Sequence, residues 1–194
     1  MKKVLKVAYW FLKKIGKVSG KKSVLFKTDY MSAWRWTASN GDLYTAVKTA
    51  PAVVVLPYFK EQDSHYVVLI EQVRPENDNR KTLKTVGGYI GEKETPVQAV
   101  VRNLENKLGI KVESNRIISD GRMLGYTVVE IPVNIFRIEL NYDEIKKITD
   151  FNNDTITTRI VSLKQALDLA KTNNLGDDST AVPIYRFYWD HYRL

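Results

Sequence analysis

Apolar and polar positions follow two rhythms along this chain. Between residues 1 and 18, Val4, Val7, Ala8, Phe11, Ile15 and Val18 recur every three or four positions with lysines between them. That is the period of an amphipathic helix. The rhythm then changes. AVVVL (52–56) and YVVLIE (66–71) are β-rich apolar runs separated by the polar segment KEQDSH, which predicts antiparallel strands. The helical period returns at 96–108, where Val97, Val100, Val101, Leu104 and Leu108 form one stripe. VNIFRIEL (133–140) and TITTRIV (155–161) predict two more strands. SLKQALDLAK (162–171) predicts a helix with Ser162 as N-cap and Gln165 at N3, a capping box. A last helical segment, roughly 179–192, carries Pro183 in its first turns and the aromatics Tyr185, Phe187, Tyr188, Trp189 and Tyr192. Strands, helix, strands, helices, with no repeat and no low-complexity linker, predict one α+β domain.

Composition narrows the chemistry. The 194 residues suffice for one domain with a real core, and 44% hydrophobic with 27% charged residues is a globular balance. Without cysteine, disulfides and thiolate metal sites are excluded. His65 and His191 are the only histidines, so a histidine-rich metal site is excluded too. Any metal would be a hard cation held by oxygen. The net charge of +8 is concentrated: residues 1–22 hold eight lysines and no acid, which leaves 22 basic against 22 acidic residues in the body. A neutral body with no base-reading motif argues against nucleic-acid binding. The run VLKVAYWFL is too short and too charged to span a bilayer, and it lacks the small-residue cleavage site of a signal peptide. The first eighteen residues are therefore expected as a helix docked on its own domain or on a second subunit. A membrane-surface helix and a disordered tail are the alternatives.

The chemistry concentrates in GGYIGEKETPVQAVVRNLENKLGI, residues 87–110. A glycine-rich turn runs into a helix whose ends are written locally. Thr95 caps, Pro96 sits at N1, Gln98 at N3 completes a capping box, and Gly109 ends the helix. At about 100° per residue, positions 103, 106 and 107 cluster on a polar face away from the apolar stripe. Three carboxylates there would make a magnesium site, but this chain offers Asn103, Asn106 and Lys107.

The segment resembles the signature of the Nudix family, G-x5-E-x7-R-E-U-x-E-E-x-G-U, where U is bulky and apolar. Gly88, Glu94, Arg102, Leu104, Gly109 and Ile110 match without a gap, while the three remaining acidic positions fall on Asn103, Asn106 and Lys107. VVVLPYFKEQDSHYVVLIEQVRP and TTRIVSLKQALDLAKTNNLGDDST are similar to the ADP-ribose pyrophosphatase-like branch. Where that branch carries Glu-Leu-Pro-Ala-Gly, this chain reads Lys84-Thr85-Val86-Gly87-Gly88. The resemblance implies a Nudix fold, a mixed β-sheet sandwich flanked by helices (α/β/α). It would span residues 23–194 as a single domain with the box at 88–110, after a basic helix at 1–22. It also implies a nucleoside diphosphate-type ligand, a homodimer, a cytoplasmic location and, in an active member, magnesium or manganese.

What the resemblance implies for catalysis is weakened by the substitutions. Family members bind magnesium through the helix glutamates to neutralise a diphosphate and activate water. Asn is a weak ligand for a hard dication, and the Lys107 ammonium repels one. Glu105 lies roughly 150° around the helix from that face. Glu94 is expected to orient the helix through Arg102. By position, Asp150 and Asp154 are candidates for a late-loop acid. Lys84 and Lys107 are open to two readings: they supply the charge once given by metal, or they are tolerated surface residues. Gly87 and Gly88 would line the phosphate turn. Arg74 matches a phosphate-contacting arginine of the branch, with a strand-end salt bridge as its alternative. Trp34 and Trp36 in AWRWT fall on one side of an extended strand, with Arg35 on the other. They are candidates either to stack on a base or to serve as core or dimer contacts. Three functions are carried forward: a diphosphate binder with little or no hydrolysis, a working hydrolase with an atypical acid, and an interaction scaffold.

Overall fold

The computed structural model describes residues 22–38, 40–74, 78–123, 129–151, 155–172 and 174–192. The basic helix expected at 1–18 and the candidate acid Asp154 lie outside these residues. In chain order the strands are β1 (Lys22–Lys27), β2 (Met31–Thr37), β3 (Leu43–Thr49), β4 (Ala52–Glu61), β5 (Ser64–Arg74), β6 (Arg80–Lys84), β7 (Val86–Tyr89), β8 (Ile118–Met123), β9 (Val129–Glu130), β10 (Val133–Glu139) and β11 (Ile156–Ser162). The helices are α1 (Pro96–Leu108), α2 (Tyr142–Asp150), α3 (Leu163–Lys171) and α4 (Asp178–Tyr192). Among the described residues no helix is long and apolar enough to cross a membrane.

The chain divides into two compact units. The smaller comprises Met1–Ala50 and Leu124–Ile131, and its sheet runs β1-β2-β3-β9. β2 and β3 pair in antiparallel register from Met31↔Thr49 to Thr37↔Leu43. Trp34 and Trp36 share a face by strand alternation. Their rings lie 4.5 Å apart, and Trp36 stacks on Tyr44 at 5.0 Å. Arg35 points the other way and is exposed.

The larger unit comprises Pro51–Met123 and Pro132–Leu194. Its mixed sheet runs β11-β5-β4-β10-β8, with β6 added to β5 and β7 to β4. The polar KEQDSH segment contributes to both strands of a hairpin. β4 and β5 pair out to Glu61↔Ser64, and Gln62 takes a positive φ of 53° in the turn. Strand β4 is apolar on both faces because both are covered. Val53 and Val55 join Val68, Ile70 and Val86 under Val100, Leu104 and Leu108 of α1 and Ile148 of α2. Leu56 and Tyr58 join Val67 and Leu69 under Leu163 and Ala166 of α3 and Ile184 and Phe187 of α4. This is a helix–sheet–helix sandwich of the α+β class.

Helix α2 is an element that the hydrophobic pattern does not assign, since Ile145 and Ile148 alone mark its inner side. A complete capping box between Asn141 and Glu144 starts it. Arg116 then grips Glu144 through Nη1 at 2.6 Å and Nη2 at 2.9 Å. α3 begins where expected, with Ser162 accepting from the Gln165 amide and Gln165 reaching back to the Ser162 amide.

Candidate functional site

Helix α1 is positioned first by its own ends. Thr95 Oγ1 accepts from the Gln98 amide at 3.2 Å, and Gln98 Oε1 accepts from the Thr95 amide at 2.8 Å. At the other end Gly109 adopts φ 68°, and its amide returns to the Glu105 carbonyl. A Cβ on Gly109 would fall 2.3 Å from Phe151 Cδ2. The left-handed cap and the packed ring therefore both require glycine. Phe151 follows directly on Asp150, so the segment with that candidate acid meets the C-terminal end of α1. Asp150 itself is exposed.

The turn before α1 is closed by an ion pair. Arg102 Nε donates to Glu94 Oε1 and Nη2 to Glu94 Oε2, each at 2.7 Å. Arg102 Nη2 also reaches the Tyr89 carbonyl at 2.9 Å, and Glu94 Oε2 accepts from the Gly91 amide at 2.8 Å. Two residues thus tie the end of β7, the turn and the helix together. The Arg102 hydrogen bonds hold the Glu94 carboxyl down at about 2. A group so committed is suited to shaping the turn rather than moving protons.

The helix face toward β7 is where the resembled signature would place metal chemistry. Asn103 is buried, its Nδ2 donates to the Ala99 carbonyl at 2.7 Å, and its Oδ1 lies 2.5 Å from where a Cβ on Gly88 would be. Gly88 is thus the residue that lets the strand pass under Asn103. Gly87 has the same role on the other side, because a Cβ there would lie 2.6 Å from the Val53 carbonyl oxygen. Lys107 Nζ donates to the Gly87 carbonyl. Asn106 and Glu105 are exposed.

Strand register adds cations to the same face. Lys84 pairs with Ile70, Thr82 with Gln72, and Arg80 with Arg74. Directly paired side chains share a face, and Ile70 belongs to the core beneath α1. Lys84 and Arg74 therefore lie on the α1 side of the sheet, and Lys84 is buried there. Burial first, and then the positive charges of Lys84, Arg74 and Arg102, push the Lys107 ammonium down from 10.5 to about 8. Lys84 is placed by the start of α4. The Gly176 amide donates to the Leu83 carbonyl at 2.8 Å, and the Thr85 amide donates to Thr180 Oγ1 at 3.2 Å.

Of the residues proposed from sequence, the structure places Gly87, Gly88, Arg102, Asn103 and Lys107 along the β7-facing side of α1, with Lys84 and Arg74 on the same side of the sheet. Trp34 and Trp36 belong to the smaller unit. Arg80 is a further cation on this face that motif matching missed. Its signal is the β5–β6 register, which sets two arginines opposite each other although like charges in that position repel. Thr85 and Thr180, which anchor Lys84, were missed as well. Their only trace was the small-residue turn GDDST.

The donors at 103, 106 and 107 do not fit magnesium or manganese. One amide is closed on its own helix, one side chain is exposed and the third is an ammonium. Among the described residues no group of three or more His, Cys, Asp or Glu side chains is placed to share a metal ion. The lysine and arginine charges on this face are instead of the kind that pairs with an anion.

No curated protein matches the chain. The family model for the NUDIX domain matches residues 48–180, well over half of the sequence, and the chain belongs to the NUDIX family.

Proposed function

We propose that this chain binds a nucleoside diphosphate derivative of the ADP-ribose type and hydrolyses it weakly or not at all. Nudix domains generally work on nucleotide derivatives with magnesium or manganese. The observation that carries the reading is Lys107, an ammonium bonded to the Gly87 carbonyl at a position where the family signature has a glutamate. Arg74, Lys84 and Lys107 would take the diphosphate oxygens in charge-assisted hydrogen bonds. The Glu94–Arg102 pair would fix the turn before α1 in place beside it. Without carboxylates at positions 103, 106 and 107 to collect a dication, water at this site would have no activating ion.

Calorimetry with ADP-ribose in EDTA tests binding, and a saturable heat together with a raised melting temperature is expected. No heat and no thermal shift would overturn it. Incubation with ADP-ribose and magnesium, with AMP measured by chromatography, tests the second half. Clear magnesium-dependent AMP release would show a working hydrolase and defeat the loss of catalysis.

A further inference from the structure

Lys107 is not a loose surface charge. It leaves the last turn of α1, is partly buried, and donates to the carbonyl of Gly87 on β7. Asn103, one turn earlier, is equally committed, with Nδ2 on the Ala99 carbonyl and Oδ1 against Gly88. Both side chains of α1 that meet the two glycines are thus engaged with the protein's own backbone. A dication approaching this turn would find the Gly87 carbonyl already holding a positive charge. Magnesium also dehydrates reluctantly and keeps several waters, so a bound magnesium diphosphate would bring a bulky hydrated ion against the ammonium.

We infer that Lys107 is a tethered internal cation in the place of the metal, and that the site selects the magnesium-free form of its diphosphate ligand. This rests on the reading of the site as a nucleoside-diphosphate site. A free diphosphate diester carries two negative charges for Lys107, Lys84 and Arg74 to meet, whereas its magnesium complex carries none. The ion that family members require should therefore act here as a competitor, by withdrawing ligand.

The test is an ADP-ribose titration of the full chain by calorimetry in EDTA. It is repeated with enough magnesium chloride to complex most of the ligand, and with sodium chloride in the control to match ionic strength. The expected result is an apparent affinity that falls several-fold with magnesium, in step with the fraction of ligand complexed. K107E should reverse the sign, binding poorly in EDTA and better with magnesium. K107Q keeps a hydrogen-bond donor without charge. It should lose at least tenfold in EDTA and be weakened by magnesium less than wild type, since Lys84 and Arg74 still favour the uncomplexed ligand, with circular dichroism confirming that it is folded. Wild-type binding in EDTA that magnesium leaves unchanged or strengthens would overturn this inference and leave the binding function standing. Absence of binding in EDTA would overturn the functional reading itself.

Discussion

Replacing Lys107 by Met should make the protein more stable at neutral pH while removing ligand binding. The substitution keeps a long unbranched stem and deletes the charge. In the folded chain, burial and the nearby cations Lys84, Arg74 and Arg102 hold the ammonium at about 8 rather than 10.5. At about 1.4 kcal/mol for each tenfold change in proton affinity, keeping Lys107 charged costs the fold roughly 3 kcal/mol at pH 7. Against this, the variant leaves the Gly87 carbonyl without its donor, a loss of about 1–2 kcal/mol. The net gain is then about 1–2 kcal/mol, or roughly 2–8 °C in melting temperature for a chain of this size. Its pH dependence is distinctive. The folded value lies below the unfolded one, so the cost is complete below about pH 8. From there to 10.5 the unfolded chain retains a proton that the folded chain has released, and wild-type stability rises relative to the variant. Near pH 10 the order of the two proteins should reverse, because what remains of the charge cost, about 1 kcal/mol or less, no longer exceeds the lost hydrogen bond. Urea denaturation followed by tryptophan fluorescence at pH 7, 8, 9 and 10 measures this directly. A K107M protein less stable than wild type at pH 7, or a difference that does not move with pH, would refute the reasoning. The expected combination, stability gained and binding lost, is what a charge retained for function predicts.

Other perturbations probe the frame around this charge. T95A removes the Thr95 side-chain half of the α1 capping box and should cost about 1 kcal/mol in urea denaturation; no change would mean that tertiary packing alone holds the helix start. G109A sets a methyl group into Phe151 at a φ of 68° and should cost roughly 1–3 kcal/mol, read as a lowered urea midpoint. E94Q should loosen the turn at 91–95 by less than about 1 kcal/mol, because Arg102 is partly exposed and solvent screens the pair. The Glu94 carboxyl is held below its ordinary 4.5, at about 2, by the Arg102 hydrogen bonds. The wild-type advantage over E94Q should therefore be complete above pH 4.5 and fade as pH falls toward 2, and an advantage that persists in stronger acid would contradict the pairing.

Much of the candidate site was legible from residues close together in the chain. The caps of α1, its glycine stop and the apolar stripe of Val100, Leu104 and Leu108 all follow from interactions within about one helical turn. Such interactions depend little on the rest of the fold, so the spacing of Thr95, Gln98 and Gly109 suffices to predict them. The strands at 52–56 and 66–71 were readable because a sheet covered on both faces leaves continuous apolar runs, and those at 133–140 and 155–161 because β-branched and other apolar residues recur among polar ones. Helix α2 escaped because its inner side is only two isoleucines wide and its main anchor, Arg116 on Glu144, comes from a distant segment. The polar face of α1 shows the limit most clearly. Periodicity puts Asn103, Asn106 and Lys107 together, but it does not say how the helix is turned against the sheet. The fold buries Asn103 over Gly88, leaves Asn106 exposed and directs Lys107 onto the Gly87 carbonyl. Likewise only the β5–β6 register sets Lys84 opposite Ile70 and Arg80 opposite Arg74. Sequence alone determined which groups were available: glycines, amides and lysines where carboxylates would bind metal. Tertiary structure decided that the cations converge. Charge repulsion disfavours such a cluster locally, and only the packing of α1 on the sheet supplies the energy to hold it.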